Sequence, residues 1–431
     1  MRELNLNSGV INQKKREKTS KTLETTAVPK VDENPTKKTP LTERIKKLLK
    51  KYQNLPPKKK ILVTGLICSI ILIIGGISAY FIIFSKEPIK DFTIPERISA
   101  KKSTSQYFSN IIPPFPEPPR DKENPINGEL YTSKQYSAME DRYPIAVMIE
   151  NHVDARPQSG YNSADIVYEA LAEGGITRTM AIFWGKECEE IGPIRSARQY
   201  FIEWLMPYDP LYMYIGYATS SDPRVNAGQS IYEYGIKGMD VYGTFWRDTT
   251  RYSPHNAYSS TELLYQRAKD IGYTGKPGEI KPLKFKMDAA PDKRGSFEKV
   301  TITFFERLYN GGLYDVTWVY DSQRNVYLRY NGDDKYIDQN SEQQVFAKNV
   351  IIQRMDTIST FDSKAHIIIT TIDEGDAIIL RDGQTINATW KKKDLESRTR
   401  YYDSDGKEIE LNRGIIWIES VPIEQGSVTI D

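Results

Sequence analysis

The sequence predicts an α/β unit followed by a mostly antiparallel β module, placed after a single transmembrane helix. Three observations carry this reading. An uncharged run of 24 residues, "ILVTGLICSIILIIGGISAYFIIF" (61–84), is long enough to cross roughly 30 Å of hydrocarbon as a helix. Between residues 128 and 277, apolar runs of strand length alternate with segments of helical periodicity. From 278 to 431, short runs rich in β-branched and aromatic residues follow one another, separated by turn residues.

The apolar run divides the charge. Lys and Arg number 59 against 57 Asp and Glu, a net +2, yet residues 1–60 hold 17 cations against 6 acids, so the remainder carries −9. An acidic body lacks the phosphate-neutralising charge of a general nucleic-acid binder, and no nucleic-acid partner is expected. Lys58, Lys59 and Lys60 directly precede the run, which puts the N-terminus in the cytoplasm and everything beyond residue 85 outside the cell membrane. The run is too long for a signal peptide, and no small-residue cleavage site precedes "SKEP". Cys68 lies inside it with 16 uncharged residues still to follow, which excludes a lipid-modified cysteine closing a short leader. That leaves Cys188 alone in the outer part, so no intrachain disulfide is available there.

Before the span, residues 1–38 are polar and without periodicity, and "TPLTERIKKLLKKYQ" (39–53) predicts a short basic helix resting on anionic headgroups. After it, the prolines of 85–127 predict an extended spacer able to hold the body within a cell wall. The first unit then reads as strand 143–151, helix 164–175 ended by glycines, strand 177–185, helix 195–209, strand 211–218 and helix 260–272 with Ser260 as cap. The β module, 278–431, contains runs such as "YDVTWVYD", "NVIIQRM" and "RGIIWIESV".

Three segments carry the candidate chemistry. "IENHVDARPQSG" (149–160) ends a strand in Glu150 and His152, followed by Arg156 and Gln158 in a loop turned by Pro157 and Gly160. Sheet ends are where α/β folds gather their sites, although the same residues suit a plain polar turn. "EEIGPIRSARQY" sets Arg195 and Arg198 three apart at an expected helix start, with Ser196 between them. Cations beside free backbone amides make an anion pocket, while pairing with Glu150, Glu169 or Glu173 is the plainer alternative. "RDTTRYSPHNAYSS" (247–260) places His255 in a loop with Arg251 and Asn256, a setting that core packing explains poorly. His366 sits on an expected strand and reads as structural. Glu150, His152 and His255 are the candidates for proton transfer. Arg156, Gln158, Glu169, Arg178, Arg195, Ser196, Arg198, Arg251 and Asn256 are the candidates for ligand contact. The histidines lack closely spaced partners of the HExxH kind, so no metal and no cofactor are expected. Ser196 in "IRSAR" is not a nucleophile elbow.

"VMIENHVDARPQSGYNSADIVYEALAEGGITRTMAIFW", "EIGPIRSARQYFIEW", "SPHNAY" and "GIIWI" (414–418) resemble the signature stretches of the YerB-like family, bacterial extracytoplasmic proteins catalogued as a domain of unknown function. The resemblance covers most of residues 125–425. It implies no activity and no catalytic residue. Many such proteins are lipoproteins, whereas here a membrane helix stands in for the lipid. "NPINGELYT" is a looser form of the family's usual opening. Three functions fit. The first is a binding module whose Arg/His/Glu-lined cleft accepts peptidoglycan or another anionic wall glycan. The second is an enzyme on envelope glycans, phosphotransferase-like or hydrolytic. The third is a partner of an envelope synthase or hydrolase.

Overall fold

A computed structural model describes residues 118–306 and 312–431 and, before them, only Lys50, Asn54, Pro56 and Lys60. The transmembrane helix expected over 61–84, most of the spacer and, apart from Lys50, the basic helix lie outside the described residues. Among the described residues no helix is long and apolar enough to cross a membrane. The folded body is the unit Pro114–Asp431.

That unit is mostly β with few helices. Its centre is a ten-stranded sheet. From one edge run Arg400–Tyr402, Gln384–Lys391, Glu374–Arg381 and Asn349–Met355. Next comes Ile416–Pro422, then Ile166–Leu171, Thr177–Phe183, Ile145–Glu150, Leu211–Met213 and Lys237–Gly238. Strands from before and after residue 278 therefore share one hydrogen-bonded sheet. Ile416–Pro422 joins them, parallel to Asn349–Met355 on one side and to Ile166–Leu171 on the other.

The second sheet is antiparallel and runs Asp334–Lys335, Val326–Asn331, Val316–Asp321, Lys299–Thr303, Ser427–Ile430. Its Val300, Ile302, Val316 and Trp318 form one apolar cluster with Val147, Val167, Val350 and Trp417 of the large sheet, joined by Leu264 of the helix Thr261–Asp270. The neighbouring positions Ala146, Met148, Ile166, Tyr168 and Met180 point the other way and pack with Phe201, Trp204 and Leu205 of the helix Gln199–Leu205. The large sheet is thus covered on both faces, the smaller sheet on one side and helical segments on the other.

Burial on both faces explains the principal correction. The segment 164–175, expected as a helix, is the strand Ile166–Leu171 followed by the 3-10 turn Glu173–Gly175. All six strand residues are buried, so the alternation that marks a half-buried strand is missing and an apolar run imitates a helix. The helix expected over 195–209 is shorter, Gln199–Leu205 with a 3-10 turn Met206–Tyr208, because Arg198 is still extended (φ −131°, ψ 151°). Arg195 and Arg198 therefore precede the helix instead of sharing its first turn. Ser260 does cap Thr261–Asp270, its side chain accepting from Leu263 N at 3.1 Å. The folded part also begins before residue 128. Arg120–Glu123 pairs with Leu130–Thr132, and Asn124, Ile126 and Asn127 between them are fully buried. The carboxylate of Asp165 secures this opening turn by accepting from Asn124 Nδ2 and Asn127 Nδ2. Two further α-helices, Ser133–Glu140 and Ala227–Glu233, belong to the same unit.

Candidate functional site

Two stretches of backbone pairing build the site at the end of the strand Ile145–Glu150. Glu150 N donates to Pro193 O and Arg195 N to Met148 O, which lays Arg195 alongside Glu150. Ile194 N donates to Ala257 O and Ile191 pairs with Ser259, which brings in the loop carrying His255. The three sequence motifs thus meet through main-chain hydrogen bonds.

Glu150 is the hub. Its side chain is only 7 % exposed, and a carboxylate so placed needs partners. One oxygen lies 2.8 Å from Arg195 Nε, an ion pair whose N–H is not aligned for a hydrogen bond. The other lies 3.0 Å from His255 Nδ1. The His255 ring stacks on His152, centroids 4.7 Å apart and planes 20° from parallel. His152 caps the 3-10 turn Val153–Ala155, its Nδ1 accepting from Asp154 N at 3.2 Å. Glu150, His152, Arg195 and His255 are therefore brought together. Arg195 is the cation left open: its terminal nitrogens make no hydrogen bond to a described residue.

The other predicted cations are committed. Arg198 grips Glu173 with two nitrogens and also donates to Ala197 O. Arg178, opposite Glu150 across the sheet, donates to Ser196 O at 2.9 Å and stands 3.6 Å from Glu173. Burial, then the Arg198 charge, lower the Arg178 pKa to about 10. Burial works to raise Glu173, but the Arg198 and Arg178 guanidiniums outweigh it and hold the carboxyl below its usual range. Ser196 Oγ donates to Ile215 O. Arg251 donates to Ala155 O, Pro157 O and Gln339 Oε1, clamping the turn after His152. Asn256 closes its own loop through Asp248 O and Arg251 O. Arg156 donates to Leu313 O and lies over the Tyr314 ring. Gln158 Nε2 donates to Glu150 O and Asn151 Oδ1.

Glu169 belongs elsewhere. It is fully buried and bound by Arg329 Nη2 at 3.0 and 2.8 Å, by Thr177 Oγ1 at 2.7 Å and by Asn151 Nδ2. The ligand contact expected of Glu169 meets a different placement: the sheet sets it inside the molecule, in register with Glu419 of the C-terminal strand. His366 is buried and bonded to Asp362, as its structural reading requires. Asp154 escapes a reading of the sequence although it sits within the first motif, because a carboxylate two residues from a histidine has no short-range signature. Among the described residues, a cavity of about 980 Å³ lies beside Lys392 and Arg400 and one of about 230 Å³ beside Glu203 and Arg224, and neither is lined by the Glu150 cluster.

Residues 131–274 match the N-terminal domain, and residues 303–418 the C-terminal domain, of the family described as protein of unknown function DUF3048. The chain is also 31% identical over 304 residues to "Putative lipoprotein YerB" of Bacillus subtilis (strain 168), covering 70% of this chain and 88% of that one. The chain belongs to the YerB-like DUF3048 family. The crystal structure of Bacillus subtilis YerB superimposes with a TM-score of 0.61 at 28% identity, spanning 72% of this chain and 99% of that chain. The described unit is thus the DUF3048 fold, and the Glu150 cluster lies within the part matched to its N-terminal domain.

Proposed function

We propose that this DUF3048 protein is a cell-envelope binding protein, anchored by residues 61–84, that accepts an anionic wall component beside Glu150. The observation that carries the reading is Arg195: a partly exposed guanidinium, paired with a buried carboxylate, whose terminal nitrogens make no hydrogen bond to a described residue. Such a group is pre-ordered for a carboxylate or phosphate oxygen and forms charge-assisted hydrogen bonds. Arg178 and Arg198 raise the local potential behind it, since three guanidiniums face two carboxylates. The name of the Bacillus subtilis relative supports an envelope location, and the lysines before the apolar run support an outward-facing body. Peptidoglycan stem carboxylates and phosphate-bearing wall glycans have the required chemistry.

The test is binding of defined muropeptides and phosphorylated glycan fragments to the full-length protein in detergent. Arg195→Ala is expected to weaken binding at least tenfold, whereas Lys393→Ala at the distant cavity leaves it unchanged. Equal affinity in the two variants would remove Arg195 from the site. A second reading, catalysis on envelope glycans, draws on the Glu150–His255 contact, which orients an imidazole for proton transfer. Product formation from a lipid-linked glycan, abolished in Glu150→Gln, is its signature. A third, a docking partner for an envelope synthase or hydrolase, would show as co-purification that survives Arg195→Ala.

A further inference from the structure

We infer that His152, Asp154 and His255 form a binding site for a divalent first-row transition ion, with Zn²⁺ the best-matched. One ligand atom from each of the three lies within 4.8 Å of the others. His255 is already arranged as a ligand. Its Nδ1 faces the Glu150 carboxylate at 3.0 Å, an acceptor that calls for the N–H on that nitrogen and leaves the lone pair on Nε2. A carboxylate behind a metal-binding imidazole is the usual device for setting its tautomer and raising its basicity.

His152 offers the complementary nitrogen. Its Nδ1 lone pair now accepts from Asp154 N at 3.2 Å, a hydrogen bond the ion would replace, and the Asp154 carboxylate stands 3.5 Å from it. Tetrahedral Zn²⁺ with bonds of about 2.0–2.1 Å separates its ligand atoms by about 3.3 Å. The His152–Asp154 pair already has that spacing, and the widest separation, 4.8 Å, must close by about 1.5 Å. Closure requires His152 to leave its cap and its stacking on His255, which its 31 % exposure allows, and the 69 % exposed Asp154 carboxylate to turn toward it. Three protein ligands leave a fourth position for water or for a ligand oxygen, as in sites that act on what they bind. The site does not depend on anion binding at Arg195, which is not a ligand. If both are occupied, the open position and the guanidinium would address the same anion.

The experiment is metal analysis and calorimetric Zn²⁺ titration of the full-length protein in detergent, with Co²⁺ absorption as a report on geometry. One Zn²⁺ per chain is expected, with a visible Co²⁺ band of a four- or five-coordinate site. Asp154→Asn, an exposed position that leaves the fold intact, should weaken Zn²⁺ at least tenfold. His152→Ala with His255→Ala should remove the stoichiometric ion, and Glu150→Gln should cost about 10–100-fold through His255. Arg195→Ala should keep the ion, which separates this result from failure of the anion reading. Absence of binding, or unchanged affinity in Asp154→Asn, would overturn the proposal, because the ion would then be missing or bound elsewhere.

Discussion

Glu169 and Glu419 stand in register on adjacent strands, fully buried, with the single guanidinium of Arg329 at hand. Burial, then the neighbouring Glu169 charge, push the Glu419 carboxyl well above its usual range. That shift favours the protonated form, which leaves Glu169 and Arg329 to balance one another. Chemical denaturation should show the asymmetry. Glu419→Gln replaces one neutral group by another and should change stability by no more than about 1 kcal/mol. Glu169→Gln removes the carboxylate that Arg329 holds with two hydrogen bonds and should cost about 3–5 kcal/mol. Cys188 offers a second check at this scale: burial drives its thiol up to about 12, so a thiol reagent at pH 8 should label it only after denaturant is added. Residue chemistry was legible in the sequence where a polar group had no structural excuse, as with Glu150, His152 and His255. It was illegible for Glu169, whose partner Arg329 lies 160 positions away, and for Asp154, which becomes a candidate ligand only when the chain returns His255 to it.

The hairpin Glu374–Arg381 to Gln384–Lys391 shows what one turn residue does for its neighbours. Asp382, at φ 53° in that turn, accepts from Lys286 Nζ at 2.6 Å, Asn325 Nδ2 at 2.9 Å and Asn412 Nδ2 at 2.6 Å. It ties the large sheet to the turn between two strands of the small sheet and to the parallel pair Phe285–Lys286 with Leu411–Asn412. Burial acts to raise its pKa, but Lys286 and the two amides outweigh it and bring the carboxyl from 3.8 to about 2. A folded pKa below the unfolded one means the stabilisation is present above pH 3.8 and is lost as the pH falls toward 2. Denaturation midpoints measured across that window should fall less steeply in Asp382→Asn than in the parent. Most strands of residues 278–431 could be read from their β-branched and aromatic runs. The N-terminal strand Ile166–Leu171 could not, because burial on both faces erases the period-two signal.

At the scale of the molecule, Trp417 sits where the two sheets meet, its ring 5.3 Å from Trp318 and 5.1 Å from Tyr161, with Arg329 5.0 Å above it. Trp417→Ala should cost about 3–5 kcal/mol in thermal or chemical unfolding. The unfolding transition should stay single, because both sheets contribute to the same apolar cluster. The shared sheet was the least legible feature of all. Strand runs announce themselves locally, but nothing in "GIIWI" tells that its strand will be inserted between two others. That insertion has a consequence in time. Ile416 pairs with Ile166, which left the ribosome about 250 residues earlier, and until it arrives both Ile166–Leu171 and Asn349–Met355 present open edges. Folding is therefore held back until almost the last segment of the unit is made. A chain waiting in that state exposes two unpaired strand edges, on which strands of other copies can add.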